Sequence, residues 1–475
     1  MLFKKLAKKD VLVISLFLLV FLAIIPLAKD SLGRFHILSL LLFLYLTIFL
    51  FSRNIFLTFS LFAFLVLPFN ITYRIPIPVQ QSMANNLIVN YLIPTISVLD
   101  LAVGIFLIAT SFQEGFSFFG RIFQKYKVAL LLFSLFLLVQ NIFLRNPLVI
   151  LNTVRFFTYT LSFILIVENL LSKKRVYTQR ERVLFAMFLL FSVFVQGVIG
   201  IQQFLGGVSV GLGVLGESRV STSMLGSSFI SLKSGAFLRA YGTFPHPNIL
   251  GGYLLLSLFI SLFLLRVLKG RTKLFPIVTI ILSSISIFFT FSRTVLILFV
   301  MVLAILFLSK VFFKKKSLAF LPTILLERFF QGFRNMDSSL IDRRNLIKSS
   351  YIVLKENLFL GTGLGNFVKE MGDNAPKTAR GLSLMQPVHN IFLLLLCELG
   401  VFGFFSFFFL LFEVLRKSLR KVTLFGVLIF VVLVGIGLVD HYFFSLPQGL
   451  FIFFVFLSLL VVEGKTERVG FEPTV

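Results

Sequence analysis

Four short stretches carry side chains whose types and spacing suit group transfer. QPVHNIFLLLLCELGVFG, residues 386–403, sets His389 and Asn390 at the head of an apolar run that contains Gly400 and Gly403. RAYGTFPHPNILGGY, residues 239–253, holds Arg239, His246 and Asn248. FFTFSRTVLILF places Arg293 between two apolar runs, and SSLIDRRNLIKSSYIVLKENLFLGTGLGNF, residues 338–367, holds Arg343, Arg344, Gly361 and Gly363. A guanidinium is always charged and offers phosphate oxygens a planar fork of donors. A neutral imidazole near its ordinary pKa can take a proton from a hydroxyl. Together they suit displacement of a diphosphate by an alcohol, without a metal.

Each stretch also has a bland explanation. Pro247 and Asn248 form a helix start signal, with Asn248 as the cap, although a cap needs neither Arg239 nor His246. Arg293 could snorkel to head groups, or wait as a cation at membrane depth for an anion. Leu340, Ile341, Ile347, Tyr351 and Leu354 recur at helical spacing, so the 338–367 stretch reads as an amphipathic helix on the membrane whose arginines serve lipid. On a continuous helix Gly400 and Gly403 fall within about 20° and 40° of His389, a shared face open to close packing. Glu398 lies opposite and is expected to pair with a basic side chain. Asp440 and His441 are weaker candidates. GTGLG follows no strand and fits no βαβ unit, which excludes a dinucleotide loop. The four histidines, at 36, 246, 389 and 441, and the single Cys397 are scattered, so neither a metal site nor a disulfide framework is expected, and no cofactor.

These groups must be held by membrane helices. The chain is 58% hydrophobic and 13% charged, far from the composition of soluble domains. Its net charge of +26 could suggest nucleic acid, but the basic residues gather in clusters between apolar runs, at 4–9, 173–182, 266–273, 314–316 and 416–421. That is the positive-inside pattern of loops facing anionic lipid. The expected fold is all-α and polytopic, with about 12–14 spans and a large outer loop region carrying short interfacial helices. Spans are expected near 11–28, 36–52, 54–69, 95–112, 128–144, 149–171, 183–204, 249–268, 274–291, 294–312, 388–415, 423–441 and 446–463. The charge pattern requires one further, short crossing at 317–330. Residues 1–204 read as N-terminal spans, 205–463 as a catalytic membrane region with outer loops 205–248 and 327–387, and 464–475 as a cytoplasmic tail.

In this order the motifs resemble the O-antigen ligase and polymerase family of integral membrane glycosyltransferases. His389-Asn390, nine residues, then Gly400-Val-Phe-Gly403 fit its signature of His, a small polar residue, nine residues and Gly-x-x-Gly. RAYGTFPHPNILGG, the SRT at Arg293, Arg343 eighteen residues before Gly361, and GTGLGNF extend the likeness over residues 239–440. Two departures stand out: Ile347 occupies a usual Trp position, and the span after the SR helix is reduced to 317–330. The resemblance implies transfer of a glycan from an undecaprenyl-diphosphate carrier to a hydroxyl acceptor on the outer face of the cell (inner) membrane, in cell-surface polysaccharide biosynthesis. It implies His389 as base, and Arg293, Arg343 and, less directly, Arg239 and Arg344 as diphosphate partners. Asn390, His246, Asn248, Gly361, Gly363, Gly400 and Gly403 would support them.

The acceptor stays open at this level: lipid core, another glycan repeat in a polymerase, or a protein hydroxyl in an O-oligosaccharyltransferase. A different class, a transporter of an anionic solute, would show internal repeats and broken helices meeting at mid-membrane. No repeat is visible, and the polar residues collect at one boundary.

Overall fold

The computed structural model describes residues 55–171, 179–224, 226–232, 235–313, 338–377, 381, 383–419 and 422–466. The expected spans at 11–28, 36–52 and 317–330 lie outside them. The described chain is an all-α membrane protein. Its helices are α1 (Ile55–Val66), α2 (Val98–Glu114), α3 (Phe116–Leu144), α4 (Pro147–Leu171), α5 (Gln179–Gly206), α6 (Pro247–Val267), α7 (Leu274–Thr290) and α8 (Arg293–Phe313), followed by α9 (Ser338–Glu356), α10 (Phe367–Met371), α11 (Ile391–Ser418), α12 (Leu424–Gly437), α13 (Tyr442–Ser445) and α14 (Pro447–Thr466). Six segments, within α3 to α7 and α11, are long and apolar enough to cross a bilayer; α1, α2, α8, α12 and α14 carry shorter apolar stretches. Sheet among the described residues is confined to three two-stranded ladders, β1–β4 (Thr72–Arg74 with Thr95–Ser97), β2–β3 (Met83–Ala84 with Leu87–Ile88) and β5–β6 (Phe229–Leu232 with Gly235–Leu238).

One end of the bundle is pinned by charge. Lys125 Nζ lies 2.6 Å from Glu168 Oε1, Tyr126 donates to the same carboxylate, and Lys417 Nζ donates to the Lys125 carbonyl at 2.6 Å. The start of α3 and the ends of α4 and α11 therefore share this Glu168 face. Antiparallel packing carries the end of α3, the start of α4 and the start of α11 to the opposite face. Tyr126 also marks a break in α3 (φ −116°, ψ 19°), so the helix begins well before the expected span at 128–144.

α11 does not run straight. Gly400 takes φ 63° and ψ −178°, a conformation that side-chain-bearing residues avoid, and the helical ladder is interrupted there. The freed carbonyls of Cys397 and Glu398 accept the amides of Thr362 and Gly363 (2.9 Å each), and Val401 N donates to the Leu358 carbonyl (2.8 Å). Gln140 of α3 adds its side-chain amide to the Glu398 carbonyl (2.8 Å) and the Leu360 carbonyl (2.5 Å). The polar groups opened by the break thus find partners, the condition for irregular backbone inside a membrane protein. A methyl group on Gly400 would collide with the Phe359 and Gly361 backbone, and one on Gly361 with Glu398 and Gly400. The GTGLG loop is a plug for a broken helix.

The break corrects the helical-face reading. His389 precedes α11, and Gly400 ends the regular helix that was to align it with Gly403. Both glycines do permit close approach, Gly400 to the loop backbone and Gly403 to the Phe136 ring of α3. Glu398, expected to find a basic partner, is instead hydrogen-bonded by the backbone amides of Gly365 and Phe367.

On the His389 side a second, smaller core gathers Ala84, Val89 and Leu92 from the 70–97 segment with Leu346, Val353, Phe367, Met371, Val388 and Leu394. Helix α9 joins it through Leu346 and Val353, which are buried, while Leu340, Ile341, Ile347 and Tyr351 are exposed. The expected amphipathic helix is present, with most of its apolar stripe facing away from the protein and Leu354 packed against the second core.

Candidate active site where three loops meet

His389 is placed by its neighbour. Asn390 caps α11, its Oδ1 accepting Leu393 N at 2.9 Å, and its Nδ2 donates to the Leu438 carbonyl at 3.1 Å. The second bond ties the start of α11 to the end of α12. That helix stops at Gly437, short of the expected 423–441 span, because the chain turns through Asp440 and His441 into α13. The turn sets Asp440 Oδ1 3.7 Å from His389 Nδ1. The rings of His389 and His441 lie 4.9 Å apart, and His441 Nδ1 meets Ser445 Oγ at 2.7 Å. The histidines scattered in the sequence are therefore partly gathered: donor atoms of His389, Asp440 and His441 all lie within 4.8 Å of one another.

A second loop enters from residues 239–248. Its backbone is held by two glutamines of α5: Gln203 Oε1 accepts Tyr241 N and Gly242 N (2.9 and 2.8 Å), and Gln196 Oε1 accepts Thr243 N (2.8 Å). At its end His246, not Asn248, caps α6, with Nδ1 accepting Asn248 N at 3.2 Å and Pro247 in the first turn. The Asn248 side chain, freed from capping, accepts Arg239 Nη2 at 2.9 Å and donates to Asp440 Oδ2 at 2.9 Å. Arg239 Nε donates to the Thr290 carbonyl at 2.6 Å, which fastens this loop to the α7–α8 turn. There Phe291 takes a left-handed conformation (φ 48°), and Arg293 follows as the first residue of α8.

The charges converge. Burial lowers the Arg239 pKa to about 10, and the nearby Arg293 and Arg343 cations push the same way. Burial and then the charge of Arg239 lower His246 to about 3; burial and then His389 lower His441 to about 3, with Arg343 contributing to both. Burial alone would raise Asp440, but His389, followed by His441 and His246, holds it well below the usual carboxylate range. At neutral pH the site combines two neutral imidazoles and an ionised Asp440 with Arg239, and Arg239 in turn feels the charges of Arg293 and Arg343. Arg343 is half-buried and Arg344 exposed, which separates the two adjacent arginines.

Asp440 is the member that sequence undervalued, because its importance comes from a turn 51 positions after His389. Tyr91 gave no signal at all. It comes from the 70–97 segment, its ring meets His441 edge-on at 5.7 Å, and burial followed by the Asp440 charge pushes its phenol up to about 12. Gly361, Gly400 and Gly403 stay with the broken helix, and Gly363 packs against Leu144 and Val149 at the α3–α4 turn; these glycines shape the scaffold.

Neither curated proteins nor solved structures returned a match to this chain. Residues 277–408 match the O-antigen ligase family model, a stretch that includes Arg293, Arg343 and His389. The chain is thus a helical membrane protein that carries a stretch similar to the O-antigen ligase family.

Proposed function

We propose that the protein transfers a glycan from an undecaprenyl-diphosphate carrier to a hydroxyl acceptor at the outer face of the cytoplasmic membrane. The observation that carries this reading is His389 with its Nδ1 turned to Asp440, Arg239 and Arg343 in electrostatic reach of the same cluster, and Arg293 in reach of Arg239. Asp440 favours the Nδ1–H tautomer, which leaves Nε2 to accept a proton. The acceptor hydroxyl gives its proton to Nε2 as its oxygen forms a bond to the anomeric carbon. The bond from that carbon to the diphosphate oxygen breaks, and the leaving diphosphate keeps the electron pair. Arg239 grips the diphosphate of the bound donor, and Arg293 and Arg343 neutralise the charge that develops as the bond breaks.

The reaction is proposed to need no metal. His389, Asp440 and His441 are donor types that could ligate one, yet they fit it poorly. Both Asp440 oxygens already accept N–H groups, from Asn248 and from the His441 backbone (2.9 Å each), His441 Nδ1 is shared with Ser445, and arginine charge repels a cation.

Reconstitution in proteoliposomes tests the reading. With a labelled polyprenyl-diphosphate glycan and a hydroxyl acceptor, each glycan transferred should release one polyprenyl diphosphate, with no loss of rate in EDTA. Glycan movement across the vesicle without cleavage of the donor would contradict it.

A further inference from the structure

Asn248 stands between the two halves of the site. Its Oδ1 accepts Arg239 Nη2 at 2.9 Å and its Nδ2 donates to Asp440 Oδ2 at 2.9 Å. A guanidinium has only donors and an ionised carboxylate only acceptors, so this amide orientation is forced by its partners. The two ends of one short side chain thus satisfy a cation and an anion at once. Leu or Ala would satisfy neither, and Asp would set a second carboxylate against Asp440.

Each partner is otherwise fixed from one other direction. Arg239 Nε is held by the Thr290 carbonyl and Nη2 by Asn248. Asp440 Oδ1 accepts the His441 backbone amide at 2.9 Å and lies 3.7 Å from His389 Nδ1. With Oδ2 held by Asn248 and Oδ1 by the His441 amide, the carboxylate is kept beside His389 Nδ1, which has no closer hydrogen-bond partner. Without Asn248 both the guanidinium and the carboxylate lose one of their two anchors.

We propose that Asn248 is a positioning residue that serves both subsites: through Arg239 it sets the grip on the donor diphosphate, and through Asp440 it sets the aim and tautomer of His389. This rests on the reading of His389 as base and Arg239 as diphosphate partner. A single neutral amide then ties leaving-group binding to proton removal, although it touches neither reacting atom.

The expected signature is a split in kinetic parameters on purified, monodisperse protein. Arg239→Lys should chiefly raise the donor KM and Asp440→Ala chiefly lower kcat, whereas Asn248→Ala should do both, by roughly threefold and tenfold. Asn248→Asp should cost more, because the new carboxylate repels Asp440. Exchanging the pair, Asn248→Asp with Asp440→Asn, keeps an acceptor toward Arg239 and restores an amide between the two positions, whose side-chain oxygen is free to face His389. This swap should recover at least tenfold of the kcat lost in Asn248→Asp alone. A change in only one parameter for Asn248→Ala, or no recovery in the swap, would overturn the proposal. If His389→Ala retains normal turnover, the underlying reading fails instead; if that variant is inactive and the swap does not recover, only the role of Asn248 falls.

Discussion

At the residue scale the arginines and histidines do different work, and each predicts its own response. A charge-assisted contact to phosphate is worth on the order of 1.5–3 kcal/mol. Arg293→Lys and Arg343→Lys keep the charge but lose the fork, so each should lower kcat/KM by about tenfold or more, while Arg344→Lys, at an exposed position, should not. Equal activity of all three Lys variants would remove the diphosphate role. His246 and His441, each lowered to about 3, are neutral in the folded site and protonate only on unfolding in mildly acid solution. Stability should therefore fall as pH drops below about 6.5, by up to about 1.4 kcal/mol per pH unit for each histidine. Asp440, held low, adds its own loss only below the ordinary carboxylate range near about pH 4. Thermal denaturation in detergent at pH 7.5 and pH 5 checks this, and His441→Gln should shrink the difference. The chemical types of His389, Arg239, Arg293 and Arg343 were readable from the chain because charge and imidazole beside apolar runs need a reason. Asp440 was readable only as a weaker candidate and Tyr91 not at all, since their place depends on turns and packing between distant segments.

At the element scale the site depends on helices that end or break. Asn390 and the stop of α12 at Gly437 bring His389 to Asp440, and Gly400 opens α11 so that the 358–363 loop can dock. A side chain in the Gly400 conformation costs roughly 1–3 kcal/mol in backbone strain, before its clash with the Phe359 and Gly361 backbone is counted. Gly400→Ala should thus lower thermal stability more than Gly403→Ala, whose added methyl meets chiefly the Phe136 ring. The reverse order, measured in one detergent, would mean that the loop does not plug the break. Hydropathy located most helices because a span is a composition. It missed the break, since Gly-x-x-Gly looks the same whether it admits a neighbouring helix or interrupts its own. The cap of α6 was misassigned for a similar reason: Asn248 suits a cap by type, but Arg239 and Asp440 claim its amide and leave the task to His246.

At the scale of the whole molecule the helices sort charge from chemistry. Lys125, Glu168 and Lys417 mark one face, and His389, Asp440 and the arginines lie on the other. The basic clusters predict that the Glu168 face is cytoplasmic. With Cys397 replaced by Ser, cysteines at the exposed positions Met224 and Lys377 should react with an impermeant thiol reagent in intact cells, and one at Arg271 only after lysis. The opposite pattern would turn the site inward. The most direct test of the central claim is the turnover of purified His389→Ala protein with a polyprenyl-diphosphate glycan donor and a hydroxyl acceptor. A positioned base contributes about 10²–10⁴-fold, so turnover should fall by that factor while the protein stays monodisperse and still binds donor. Near-normal turnover in folded His389→Ala protein would contradict the account.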